Sequence, residues 1–200
     1  MTEAPRLLEL ARIRRAFSPS VEPLAPGAEG KYAAVAAVLR SGPRGAEVLL
    51  IRRAEHEADP WSGHMAFPGG RYDESDRHLL ETATRETREE VGLDLGRSAK
   101  LLGALDPLPA VARGRRVGMT IAPFLFELSE DVALEPNSEV VEVVWAELSE
   151  LARGEKAVEV EYSLEGQKLL LPGWDVGGRV VWGLTYRMLS ALLEAVRDAG

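Results

Sequence analysis

Apolar residues recur at helical spacing in three stretches of the chain and gather in short runs elsewhere. Residues 6–17 place Leu7, Leu8, Leu10, Ala11 and Ile13 along one side, which predicts an N-terminal helix. A Pro- and Gly-rich linker follows over residues 18–30. Residues 32–39 and 48–53 read as strands on either side of a turn at residues 41–45, a pattern that predicts a hairpin. Residues 54–70 read as a loop containing Pro60, Gly63, Pro68, Gly69 and Gly70. The clearest helix spans residues 76–91, with Asp76 as its expected N-cap and Gly92 as its stop. Strands are expected at residues 101–105, 118–128, 140–145, 158–162, 168–171 and 179–181, and an amphipathic helix at 184–196. Strands outnumber helices and do not alternate with them, which predicts an α+β fold with a mixed sheet. Residues 1–30 form a helix and linker in this reading, and residues 31–200 a single domain.

The helix at 76–91 carries the candidate chemistry. At roughly 100° per residue, positions i, i+3 and i+4 share one side, so Glu86, Glu89 and Glu90 project together. Leu80, Ala83, Thr87 and Val91 fall on an adjoining, less polar stripe suited to the core. Like charges held together beside a buried face are costly without a positive partner. Arg85 supplies part of that compensation, and a hard divalent cation such as Mg²⁺ or Mn²⁺ would supply more. Taken alone, an Arg-rich and Glu-rich helix also reads as solvated surface laced with i, i+4 pairs. The upstream Phe67-Pro68-Gly69-Gly70 alters that reading, because glycines let the backbone approach a phosphate closely.

Charge narrows the partners. The 200-residue chain has a formal net charge of −8, and its acids concentrate at residues 81–90 and 127–150. A duplex nucleic-acid binder would present a basic face instead. No run approaches the length of a membrane span, and residues 1–15 mix both signs of charge without a signal-peptide core. There is no cysteine, which excludes disulfides, thiolate metal sites and a Cys nucleophile, and fits a cytoplasmic protein.

Gly70, Arg85, Glu86, Glu89, Glu90, Gly92 and Leu93 together resemble the Nudix box. That signature reads Gly, five residues, Glu, seven residues, then Arg-Glu-aliphatic-any-Glu-Glu-any-Gly-aliphatic. Asp76 stands where its first Glu is expected, the stretch from there to Arg85 is one residue longer, and Thr87 replaces the aliphatic residue. The resemblance implies a Nudix-type α/β/α sandwich that hydrolyses a diphosphate linkage in a nucleoside diphosphate derivative. It implies Glu86, Glu89 and Glu90 as ligands of Mg²⁺ or Mn²⁺, with Glu89 and Glu90 in the catalytic set and Arg85 orienting them. The resemblance also implies a further carboxylate as general base or ligand, supplied by the box itself or by a later loop, with Glu139 and Glu142 as candidates. Arg53, Gly69, Gly70 and Arg71 are the candidate substrate contacts.

Leu49-Leu50-Ile51-Arg52-Arg53, then Gly63-His64-Met65-Ala66-Phe67-Pro68-Gly69-Gly70, and later Val181-Trp182-Gly183-Leu184-Thr185 are similar to motifs of the coenzyme A pyrophosphatase branch. With the box, this resemblance covers residues 32–193. It implies coenzyme A or its acyl forms as substrate, cut to adenosine 3′,5′-bisphosphate and (acyl-)phosphopantetheine. One departure is the lack of a second Arg between Arg53 and Gly63. ADP-ribose, nucleotide sugars and dinucleotides are the alternative substrates, and a non-catalytic nucleotide-binding module the alternative of another class. A related isomerase would require a Cys. His64 reads as a loop residue facing solvent in preference to a substrate contact, Trp61 as a base-stacking or loop-plugging residue, and Trp145 and Trp182 as core or strand-end anchors. The oligomeric state is left open, a homodimer being compatible.

Overall fold

Strand β1 (Lys31–Gly42) explains the layering, because it is apolar on both faces. Ala34, Ala36 and Val38 point into one core, while Ala33, Ala37 and Leu39 point into another. A strand buried on both sides has to lie centrally between two covering layers. The computed structural model describes residues 8–19, 26, 30–56, 61–112, 114–164 and 166–199. The first residues of the expected N-terminal helix and most of the expected linker lie outside them.

β1 pairs antiparallel with β2 (Gly45–Arg53) through a tight turn at Pro43 and Arg44, as the hairpin pattern predicts. On its other side β1 runs parallel to β7 (Arg115–Leu128), from Lys31 opposite Met119 to Leu39 opposite Glu127. β3 (Met65–Ala66) and β8 (Val140–Glu147) join β2, and β4 (Gly69–Arg71) joins β1. β5 (Ala99–Ala104) and β6 (Leu108–Ala112) pair with β7 and complete an eight-stranded mixed sheet. A second sheet of three antiparallel strands contains β9 (Ala157–Leu164), β10 (Gln167–Val176) and β11 (Arg179–Trp182).

Helix α2 (Leu79–Val91) covers one face of the large sheet through Leu79, Ala83 and Val91. Short α3 (Leu95–Ser98) continues that layer. α1 (Leu10–Ala16) and α5 (Gly183–Asp198) share the core on the opposite face, with α4 (Leu148–Ala152) beside them. The α/β/α sandwich is therefore present. β3, β4 and β6 and helices α3 and α4 are additional to the sequence-derived elements. The two strands in the 54–70 stretch are too short to show periodicity and owe their conformation to pairing with β1 and β2.

The N-terminal helix belongs to the packing. Ile13 is fully buried in the α1–α5 core, and the Arg14 guanidinium grips the buried Glu127 carboxylate of β7. The Leu8 N–H donates to Ser149 Oγ at 2.9 Å. Among the described residues, no helix is long and apolar enough to cross a membrane. Ile13→Ala should lower the unfolding free energy by about 2–4 kcal/mol, the usual cost of truncating a fully buried aliphatic side chain. Urea denaturation followed by circular dichroism measures it; a loss under about 0.5 kcal/mol would show α1 to be energetically detached.

Candidate active site

The acidic helix starts later than Asp76 would set it. His78 is the N-cap of α2, its Nδ1 accepting from the Glu81 N–H at 3.2 Å. Asp76 instead turns its carboxylate along the helix: Oδ1 accepts from Arg85 Nε at 3.0 Å, and Oδ2 accepts from Arg85 Nη2 at 2.9 Å and from the Thr82 hydroxyl at 2.8 Å. This fork-to-fork pair corrects the capping role and is the strong, directional form of an ion pair. Burial pushes Asp76 upward, but the hydrogen bonds from Arg85, Thr82 and Asp73 outweigh it and hold its pKa below the usual carboxylate range. At the other end Gly92 takes φ 72° and donates its N–H to Arg88 O, stopping the helix as expected.

Arg85 also reaches forward. Its Nη1 donates to Glu86 at 2.8 Å and to Glu89 at 3.3 Å, and its Nη2 also donates to the Arg71 carbonyl. Arg85 thus joins Asp76 behind it to two of the three clustered carboxylates in front. Thr87, in the expected aliphatic place, is buried and donates its hydroxyl to Ala83 O within the helix, so no polar atom is stranded.

The glycine turn and the helix fit each other closely. Gly69 and Gly70 lie opposite Val35 and Ala34 in β4 and β1. A Cβ at Gly70 would fall 2.4 Å from the Glu86 carboxylate, and one at Gly69 would fall 2.3 Å from Ala34 O. Only hydrogen fits at Gly69, and at Gly70 a side chain would have to displace the Glu86 carboxylate. The Gly69 N–H donates to Glu90 Oε2 at 2.8 Å, while Arg53 Nη1 stands 3.6 Å from Oε1. Glu90 is only 2% exposed, and burial pushes its pKa up to about 7 against the opposing pull of Gly69 and Arg53. Burial likewise raises Glu86, with Arg85 opposing.

Glu139 comes from the loop before β8. That loop satisfies the end of α2: the Glu135 N–H donates to Val91 O and the Asn137 N–H donates to Glu90 O, both at 2.9 Å. Asn137 Oδ1 then accepts from the Glu139 N–H, and Glu139 O accepts from the Ala54 N–H at 2.7 Å. The negative charge of Glu139 acts on Glu86 and Glu90. Glu142 is placed differently, engaged by Arg179 and Arg52.

A cavity of ≈ 840 Å³ receives these groups. Arg53, Gly69, Gly70, Arg71, Glu86, Glu89, Glu90 and Glu139 line it, whereas Arg85 stands behind the carboxylates. Met65, Met119, Met188 and Leu184 form an apolar wall. His64 belongs to this wall rather than to open solvent, its ring centroid 4.8 Å from that of Trp182. Trp61 also lines the cavity, and its Nε1–H donates to Val111 O at 3.2 Å. The Thr185 hydroxyl donates to Met65 O, which ties the start of α5 to β3 and brings the Val181–Thr185 motif to the cavity. Trp145 lies elsewhere, under the Arg40 guanidinium at 4.1 Å. Among the described residues, no three His, Asp or Glu side chains stand close enough together to form a ready-made metal cage. Arg85 holds Glu86 and Glu89, and Gly69 holds Glu90, each on its own partner.

A mixed sheet between helical layers, with an acidic helix and a pair of glycines at one open cavity, is the layout of the Nudix fold. The family model of the NUDIX domain matches residues 31–164, and the chain belongs to the Nudix hydrolase family. An uncharacterized protein of Schizosaccharomyces pombe is 40% identical over 107 residues, covering 52% of this chain and 32% of that one. The human mitochondrial coenzyme A diphosphatase NUDT8 is 32% identical over 147 residues, covering 71% of this chain and 60% of that one. The chain therefore spans less than two thirds of either of these curated relatives. The NUDIX domain of Shewanella oneidensis NrtR, solved with ADP ribose, superposes with a TM-score of 0.54 at 18% identity, covering 86% of this chain and 89% of that one.

Asp76→Asn should cost about 2 kcal/mol at pH 7, because Arg85 loses its bidentate partner while the shape is kept. Asp76 has a depressed folded pKa, so the stability it contributes is present above the unfolded value near pH 3.9 and is lost as pH falls through the folded value. The difference between wild type and variant should therefore shrink below about pH 4. Urea unfolding at pH 7 and at pH 3 checks this; an equal difference at both would remove the ion pair as its source.

Proposed function

We propose that this chain hydrolyses the diphosphate linkage of a nucleoside diphosphate derivative with Mg²⁺ or Mn²⁺, and that coenzyme A or an acyl-coenzyme A is the substrate. The products would be adenosine 3′,5′-bisphosphate and phosphopantetheine or its acyl form. One observation carries the reading: Glu86, Glu89, Glu90 and Glu139 line a single cavity together with Gly69 and Gly70, which contact Glu90 and Glu86.

The donor set fits a hard divalent cation. It offers only carboxylate oxygens, and the buried Glu90 has one backbone N–H and a guanidinium at 3.6 Å to offset its charge. Glu86, Glu89 and Glu90 are the residues proposed to hold the ion. When bound, such an ion would offset the negative charge of acids and phosphate and lower the pKa of a water. The protein's own contributions follow from its contacts. Gly69 and Arg85 hold the carboxylates in place, and Gly70 leaves room for Glu86. Arg53 lies at ion-pair distance from Glu90, beyond a hydrogen bond, and lends positive charge where a phosphate would arrive. Arg71 adds a second cation at the rim. Glu139, fixed by Asn137 and Ala54, is the proposed general base.

The coenzyme A assignment draws support from the NUDT8 relative, whose name states that activity, and from the motifs at 49–53, 63–70 and 181–185. A second reading, ADP-ribose or another nucleotide derivative, is favoured by the missing Arg between Arg53 and Gly63. A binding-only module would be expected to have lost one of the clustered acids, and all are retained.

Glu90→Gln should lower kcat/KM by about 10³-fold, given what single charged groups contribute in such sites. Its melting temperature should hold or rise, because a neutral amide replaces a carboxylate that burial disfavours. Assays over coenzyme A, acyl-coenzyme A, ADP-ribose and nucleotide sugars, with products identified by mass spectrometry, test the activity and the substrate, and a thermal melt followed by circular dichroism tests the stability. Full activity in Glu90→Gln would overturn the site assignment. Untouched coenzyme A beside rapid ADP-ribose cleavage would overturn the substrate assignment.

A further inference from the structure

A second cavity of ≈ 560 Å³ opens beside the first, and the two share Trp61, His64, Trp182 and Leu184 as walls. Its far side is the β9–β10 hairpin, which presents Leu164, Leu169, Leu171 and Pro172. The matched family region ends at residue 164, the last residue of β9, so β10 and β11 supply this groove from outside that region. The shared partition is held in place. Trp182 has His64 on one contact at 4.8 Å and Tyr162 on another at 5.5 Å, and Trp61 is hydrogen-bonded to Val111 O. Leu169 remains 37% exposed, an apolar surface that water disfavours.

We infer that this groove takes an apolar tail of the substrate, so that an acylated diphosphate substrate is preferred to its unacylated parent. The inference rests on the diphosphatase reading above for the placement of the phosphates at the acidic end. Met65 and Met119 line the cavity that holds the acids, and that cavity and the groove share Trp61, His64, Trp182 and Leu184. Continuity with the catalytic cavity selects a tail joined to the substrate over a separate partner. The groove's walls are aliphatic and aromatic apart from His64 and Arg187, which suits a hydrocarbon chain. Full burial of one methylene is worth about 0.8 kcal/mol, or about fourfold in affinity. A groove open along one side should return about half of that logarithm, on the order of twofold per methylene.

Two measurements on the full chain test this. The first is calorimetric binding of phosphopantetheine and of octanoyl-phosphopantetheine to wild type and to Leu169→Asp. The second is kcat/KM with metal for coenzyme A, butanoyl-coenzyme A and octanoyl-coenzyme A. Octanoylation should tighten binding at least tenfold in wild type and by less than threefold in Leu169→Asp. The variant should keep wild-type turnover of unacylated coenzyme A and an unchanged circular dichroism spectrum. Equal binding of the two pantetheines, or an octanoyl gain that survives in the variant, overturns the groove inference even if coenzyme A is cleaved. An octanoyl gain lost in Leu169→Asp, in a protein that hydrolyses no diphosphate, upholds the groove and sinks the diphosphatase reading instead.

Discussion

Everything at the site follows from one electrostatic constraint: carboxylates are crowded together where water cannot screen them fully. Glu90 is buried, Glu86 half-buried, and both feel the charge of Glu139. A cluster like this is unfavourable on its own account. Its persistence requires compensating positive groups held on a rigid frame. Arg85 and Arg53 provide part of that compensation, and a charge deficit is left that suits a divalent cation and, through it, a polyanionic substrate.

The frame is made of features that individually look minor. The parallel pairing of β1 with β7 fixes a central strand buried on both faces, and β4 is held against β1 at its edge. Gly69 lets β4 lie close against Ala34 and Val35 of β1, and Gly70 leaves the space that the Glu86 carboxylate of the acidic helix fills. Asp76 anchors Arg85, and Arg85 in turn holds Glu86 and Glu89. The loop carrying Glu139 is attached to the end of the same helix by two backbone hydrogen bonds. Acid cluster, glycine pair and Glu139 loop are therefore all tied to α2, the glycines through Glu90 and the loop through the backbone of Glu90 and Val91.

Helical spacing made the side of α2 bearing Glu86, Glu89 and Glu90 legible in the sequence, and the glycine positions made its neighbour legible. The alternating and continuous apolar runs located the long strands for the same reason, since burial imposes periodicity. Other features had no such signature. An Asp ahead of a helix reads as a cap, yet Asp76 bonds to Arg85, nine residues on, and His78 caps instead. β3 and β4 exist because neighbouring strands recruit them, which their own residues do not announce. His64 meets Trp182 from a distant part of the chain, so its place in the cavity wall depended on the tertiary fold. Glu139 and Glu142 looked alike in sequence, and the loop hydrogen bonds and Arg179 separate them.

The most direct test of the central claim is where a divalent ion settles. Crystals of the protein soaked in Mn²⁺ with adenosine 3′,5′-bisphosphate, examined by anomalous diffraction, locate it without reference to turnover. The account predicts a manganese peak within bonding distance of carboxylate oxygens from Glu86, Glu89 and Glu90, beside the Gly69–Gly70 turn. A saturating soak that leaves those three side chains on their present partners, with no peak between them, would contradict it.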